Sequence, residues 1–336
     1  MRRQSEQIRT VVVTGASAGV GRAVAHAFAR DGADVALLAR DAAALAEAAE
    51  EVRAHGVRAL PLCVDVSDAA QIEAAAGRVE TQLGPIDVWV NNAMVTVFAP
   101  LSEIEPDAFR RATDVIYHGY VWGTMAALRR MRARNRGVVI QVGSALACRA
   151  IPLQAPYCGA KHAIRGFTDA LRCELLHEGS RVHLCMVQMP ALNTPQFDWA
   201  LARMPRKPRP VAPVYQPEVA ARAVCWAARQ RRREVSVGAS TQLAIVANRW
   251  FPSLLDRYLA RTNVEAQQRP EAADPKQPAN LWETVGPPHR THGAFDAEAR
   301  SHSLAFWLDA HRGALACGVL GLLGLAGLCA GRRRGR

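Results

Sequence analysis

Seven short apolar runs recur along this chain, and segments with helical periodicity separate most of them. Val11–Val13 is the first and is wholly β-branched. "ADVALLAR" (33–40), "VRALPLCVDV" (57–66), "IDVWVNNA" (86–93), "GVVIQVGS" (137–144), "RVHLCMVQMP" (181–190) and "EVSVG" (234–238) follow. After the first run, Val20, Val24, Ala27 and Phe28 repeat at helical spacing. Asp41–Ala54 is alanine-rich, and Ala69–Gln82, Asp107–Arg134 and Pro217–Gln230 also read as helices. Parallel strands cannot be joined by a tight turn, so this alternation predicts an α/β fold with a parallel sheet and helices on both faces. The runs are apolar throughout, as strands covered on both faces require. In such sheets ligands bind beyond the carboxyl ends of the strands.

This pattern places one catalytic unit at residues 8–240. Gln196–Pro217 is irregular and too long for a simple connection, so it is expected to be a lid or substrate loop. Residues 241–261 form an apolar helical extension, with Leu243–Leu259 interrupted by Pro252. Residues 262–312 are polar, with five prolines between Thr262 and Arg300, and are expected to form a linker or poorly ordered arm. The stretch "GALACGVLGLLGLAGLCAG" (313–331) places nineteen uncharged residues between Arg312 and Arg332. At ~1.5 Å per residue its helical length approaches the ~30 Å hydrocarbon core of a bilayer. Gly327 and Gly331 form a small-xxx-small pair, and Trp307 sits where an interfacial aromatic would. The expectation is a C-terminal transmembrane anchor, with a helix docked on the body as the alternative. The protein would be membrane-associated with its catalytic part in the cytoplasm. Basic residues flank both ends, so orientation stays open.

The net charge is +12, partly from Arg231–Arg233 and Arg332–Arg334. Such runs are solvated faces or contacts to anionic lipid. No recognition module accompanies them, so no nucleic-acid partner is expected. The eight cysteines make no C-x-x-C or zinc-type spacing, and Met1–Thr10 is polar and charged. Reduced thiols and no metal site are the expectation, the histidines at 289, 292, 302 and 311 being weak candidates for one.

"TGASAGVG" (14–21) lies between the first strand and the first helix. Gly15, Gly19 and Gly21, with Ser17 and Val20 between them, let the backbone approach a pyrophosphate that the helix N-terminus favours. The second strand ends at Arg40, where an acid would select NAD by its ribose hydroxyl. An arginine there can pair with a 2′-phosphate, so NADP is expected, with NAD possible. Asp65 and Val66 end the third strand, in position to meet the adenine, and Asn91 to Ala93 end the fourth near the nicotinamide side. Tyr157 and Lys161 lie one helical turn apart on one face. A phenol is a poor base at neutral pH, and a nearby ammonium lowers its pKa. Tyr157 can then exchange a proton with a carbonyl or alcohol oxygen, Ser144 can hydrogen-bond the same oxygen, and Lys161 can hold the nicotinamide ribose.

The set "TGASAGVG", Asp65-Val66, Asn91-Asn92-Ala93, Ser144, Tyr157 and Lys161 resembles the short-chain dehydrogenase/reductase family. Ser144 precedes Tyr157 by thirteen residues, the family's usual interval. "MPALNTP" (189–195), with Pro190 and Thr194, resembles its cofactor-closing segment. The resemblance spans residues 8–240. It implies a single Rossmann-type, doubly wound sheet, here with a C-terminal extension and apolar tail helix. It also implies reversible alcohol/carbonyl oxidoreduction with a nicotinamide cofactor, and a homo-oligomer. Three positions depart from it. Ile116 stands where the family has the asparagine that positions a water linking the lysine to solvent. Met94 and Ala191 replace usual glycines. The tail, Met94 and Leu243–Leu259 point to an apolar alcohol or carbonyl substrate. The competing reading is a membrane-tethered nucleotide-binding or scaffold protein with impaired catalysis, motivated by Ile116.

Overall fold

The computed structural model describes residues 8–274 and 276–313. Its centre is a seven-stranded sheet. The strands are β1 (Thr10–Thr14), β2 (Asp34–Ala39), β3 (Ala59–Cys63), β4 (Val88–Asn91), β5 (Val138–Ser144), β6 (His183–Met189) and β7 (Glu234–Ser236). They lie side by side in the order β3-β2-β1-β4-β5-β6-β7, and every pair is parallel. The winding reverses between β1 and β4, so their carboxyl ends diverge and open a crevice, the usual ligand position in a doubly wound sheet.

Helices α1 (Gly19–Arg30), α2 (Ala42–Arg53), α3 (Ala69–Gln82), α4 (Pro106–Thr113), α5 (Gly119–Arg134), α6 (Ala155–His177) and α7 (Pro217–Arg229) cover the sheet. Alternate strand residues point to opposite faces. Val11, Val13, Val35 and Leu37 therefore join Val24, Phe28 and Val224 in one core. Val12, Ala36 and Leu38 join Ile72, Trp89 and Ile164 in the other. Two cores fed by one set of strands explain why those strands read as unbroken apolar runs. The expected long helical region, Asp107–Arg134, is helical throughout, with a wide π turn, Asp114–His118, between α4 and α5.

Beyond β7, α8 (Ala239–Trp250) and α9 (Pro252–Thr262) form a hairpin, with Pro252 starting the second helix where its missing N–H costs nothing. Leu243, Trp250, Phe251, Leu254 and Tyr258 on this hairpin are exposed.

The polar segment that follows is not the expected linker. Gln268–Ala272 pairs antiparallel with Arg206–Pro208, Leu281 is fully buried in the second core, and Arg300 bridges to Tyr215. Part of what fixes this strap is backbone carbonyl meeting arginine, beside side-chain pairs such as Arg269 with Asp198 and Asn193 with Asp296. Arg22 donates to the His289 carbonyl at 2.9 Å, Arg40 to that of Trp282 at 2.8 Å, and Arg111 to that of Leu281 at 3.1 Å. A low-hydrophobicity composition does not reveal such bonds, because they use main-chain acceptors that every residue carries. A helix over residues 304–313 ends the described chain. The anchor expected at 313–331 lies, apart from Gly313, outside the described residues. Among the described residues no helix is long and apolar enough to cross a membrane.

Candidate active site

A cavity of about 540 Å³ lies at the carboxyl ends of the strands. The glycine turn after β1 forms one end. Gly15 has φ +65°, and a Cβ on it would lie 2.8 Å from the Ala93 Cα. Only glycine relieves both constraints, so the backbones of β1 and β4 close to contact there. Gly15, Ser17, Gly19 and Val20 line the cavity. Gly21 does not; it packs beneath the turn against the Gly15 carbonyl. The N–H of Gly19, at the start of α1, donates to the Arg290 carbonyl at 3.1 Å.

Arg40, Asp65 and Val66 line the adjoining wall. Arg40 donates to the carbonyls of Asn280, Leu281 and Trp282 on the strap. Burial lowers its pKa, neighbouring Arg111 adds to this, and Asp65 opposes it. Asp65 is paired with Arg111 at 2.5 Å, and Arg111 and Ser67 hold its carboxyl below the ordinary range although burial opposes them.

Asn91 is placed differently from the expectation. It is fully buried, accepts from Trp89 Nε1 at 2.8 Å, and donates to Thr124 at 3.0 Å and Gln141 at 2.9 Å. Its amide satisfies a polar network under β4, and the cavity wall is made by Asn92, Ala93 and Met94 instead. Asn92 ties the two strand ends together through the Thr14 carbonyl at 2.9 Å.

Ser144 ends β5, and Tyr157 and Lys161 stand on the first turns of α6; all three face the cavity. Pro190, Ala191 and Thr194 line the wall opposite. Lys161 Nζ lies 5.6 Å from the centre of the Tyr157 ring. The ammonium does not depress the phenol as expected. Burial pushes Tyr157 up to about 12, although a hydrogen bond with Ser144 pulls the other way. Burial also pushes Lys161 down to about 7. Inside an apolar wall the cost of holding any charge outweighs the attraction between the two groups.

The structure adds residues that the motifs did not indicate. Asn280, Thr284, Val285 and His289 of the strap line the cavity, and no pattern in the sequence marks them. Tyr120 is buried against Lys161, with Nζ at 3.0 Å from its hydroxyl. Its position one turn beyond Ile116 was the available signal. Ile116 itself is fully buried in the second core. Among the described residues no cluster of three or more His, Cys, Asp or Glu could hold a metal ion.

Comparison with known proteins bears on this arrangement. The family model for short chain dehydrogenase matches residues 9–200. The uncharacterized oxidoreductase YxnA of Bacillus subtilis (strain 168) is 29% identical over 277 residues, which is 82% of this chain and 78% of that protein. The 3-dehydrosphinganine reductase of Danio rerio is 31% identical over 192 residues, 56% of this chain and 57% of that one. An alcohol dehydrogenase from the archaeon Thermococcus sibiricus, solved with 5-hydroxy-NADP, superposes with a TM-score of 0.60 at 28% identity, over 68% of this chain and 95% of its own. A model that matches more than half the chain, on a sheet of this winding with a glycine turn, a serine, a tyrosine and a lysine around one cavity, makes the chain a member of the short-chain dehydrogenase/reductase family, an NAD(P)-dependent oxidoreductase.

Proposed function

We propose that the chain interconverts an alcohol and a carbonyl with NADP(H), acting on an apolar substrate. The observation that carries this reading is that Ser144, Tyr157 and Lys161 line the same cavity as the glycine turn and Arg40. The residue types fit a dinucleotide, which on binding would replace the Arg290 carbonyl at the Gly19 N–H and compete with the strap carbonyls for Arg40. The contact of Gly15 with Ala93 leaves backbone in place of side chain at the α1 N-terminus, and the cavity is large enough for a small-molecule cofactor. Gly15 to Val20 would hold its pyrophosphate, Arg40 its 2′-phosphate, Asp65 and Val66 its adenine, and Lys161 its nicotinamide ribose. When bound, the cofactor supplies or accepts the hydride.

The chain's own residues handle the proton. With its pKa pushed up to about 12, Tyr157 is protonated throughout the physiological range and is a proton donor to a carbonyl oxygen. Ser144 donates to the same oxygen as negative charge develops there. Oxidation needs the phenolate and rises with pH.

The apolar substrate reading is supported by Val95, Leu146, Ile151, Phe197 and Trp199 on the remaining wall. The membrane reading is supported by the exposed apolar face of the α8–α9 hairpin, whose Ala244 and Tyr258 also line the cavity, and by the uncharged residues 313–331.

Purified protein assayed on a panel of apolar ketones and aldehydes, with NADPH and with NADH, tests the reading. Turnover faster with NADPH is expected. Tight NADPH binding without turnover of any member would favour the nucleotide-binding tether.

A further inference from the structure

The family's asparagine is missing at Ile116, yet Lys161 is not left without support. We propose that Tyr120 is a positioning residue for catalysis, its buried hydroxyl holding the Lys161 ammonium in place of the missing asparagine. This rests on the oxidoreductase reading of the same cavity.

The geometry is specific. Lys161 Nζ donates to the Tyr120 hydroxyl at 3.0 Å and to the Val142 carbonyl at 2.7 Å. The Tyr120 hydroxyl donates in turn to the Val142 carbonyl at 3.0 Å, closing a three-membered ring of polar groups. Nζ also lies 4.6 Å from the centre of the Tyr120 ring, within cation–π range. Lys161 is 2% exposed and Tyr120 1% exposed, so bulk water does not replace these contacts. Two of the three ammonium protons are thus directed at fixed acceptors, and the third is left for the cavity.

Local structure explains how Tyr120 arrives there. The π turn Asp114–His118 inserts one extra residue into the helical ladder just before α5. Ile116 enters the apolar core, and the first turn of α5 brings Tyr120 against β5, the strand that carries Val142. The wall is closed from that side, so Tyr120 holds the lysine and does not connect it to solvent.

The titratable groups that reach Lys161 are Tyr157 on its own helix and Tyr120 on α5. On the π turn, Asp114 and His118 hydrogen-bond each other at 2.8 Å. Burial alone lowers the lysine pKa, and burial with the neighbouring Tyr157 keeps Tyr120 well above the ordinary phenol value. Tyr120 therefore acts as a neutral acceptor toward a cation.

Tyr120→Phe keeps the ring and removes the acceptor. A hydrogen bond to a charged group corresponds to roughly one pKa unit or more. The lysine should lose its proton at lower pH, so the alkaline decline of kcat for carbonyl reduction should move down by about one pH unit. Melting temperature and NADPH binding at low pH should change little. Adding Ile116→Asn to Tyr120→Phe should recover part of the shift. An unchanged pH profile in a folded Tyr120→Phe protein overturns the proposal. A shifted profile in Tyr120→Phe that tracks an equal loss of thermal stability, and that Ile116→Asn does not recover, also overturns it by assigning Tyr120 a packing role. Wild-type protein that reduces no carbonyl at any pH overturns the oxidoreductase reading instead, and Tyr120 with it.

Discussion

Ser144, Tyr157 and Lys161 reach the cavity from two consecutive elements, β5 and α6, and lie within eighteen residues of one another in sequence. Asn280, Thr284 and His289 reach the same cavity from a strap that lies past every strand of the central sheet. The first wall is set by regular structure: a strand end and a helix start fix each side chain by local geometry. The second is set by individual bonds between arginines of the sheet region and carbonyls of the strap. The two walls should therefore respond to substitution in different ways. Changes in the first should abolish chemistry and leave binding. Changes in the second should alter binding and local order and leave the chemistry.

The largest expected effect is in the first wall. Tyr157→Phe preserves the ring and removes the proton, so turnover should fall by ~10²–10⁴, the range that acid–base catalysis supplies. NADPH affinity should survive. A variant that keeps more than a tenth of wild-type activity would break the assignment, since the site would then be working without its proton donor.

An intermediate effect belongs to Arg40, which touches the strap. Arg40→Asp replaces a charge-assisted contact with repulsion, and NADPH affinity should fall by roughly 10–100-fold while NADH affinity changes much less. The same variant loses its bonds to three strap carbonyls, so proteolysis within residues 276–290 should become faster. Wild-type protein with equal affinity for both cofactors would sink the NADP preference. Unchanged proteolysis would show that the strap holds without Arg40.

The smallest effect isolates the strap. A Cβ at Gly293 would lie 2.6 Å from the Thr194 carbonyl, a backbone atom that cannot swing away. Gly293→Val should cost about 1–3 kcal/mol and raise hydrogen exchange in residues 280–303. Exchange in β1, β4 and β5 should be unchanged. Faster exchange in those strands would mean that the strap and the sheet open as one unit, and the distinction between the walls would fail.

The same distinction governs how far the molecule was legible in its sequence. The sheet was readable because its strands are buried on both faces, which forces unbroken runs such as Val11–Val13 and "VVIQV". Gly15, Tyr157 and Lys161 are legible because turn geometry and helical spacing tie residue type to position, and Ser144 through the family's interval to Tyr157. The strap was not, because its buried apolar anchors, Leu281 and Phe295, are isolated in a polar run, and its other fastenings are scattered single bonds to main-chain oxygens and to side chains such as Asp198, Asp41 and Asn193. Asn91 was misplaced for a related reason: a strand-end asparagine facing the core and one facing the cleft differ by one residue, and the neighbouring Asn92 took the cleft side. Sequence places a lysine near Tyr157 but does not measure the burial that opposes its influence on the phenol.

The strap also has a place in the order in which the molecule is assembled. Its bonds from Arg40 to Trp282 and from Arg22 to His289 close loops of 242 and 267 residues. Each such closure is entropically costly, although the cost grows only slowly with length, and long-range contacts of this kind form late in folding. A chain made from its N-terminus has already released β7, which ends at Ser236, before the first strap residue emerges. The crevice between β1 and β4 is therefore complete as an open trough before anything exists to cover it, and the strap is laid across a finished surface.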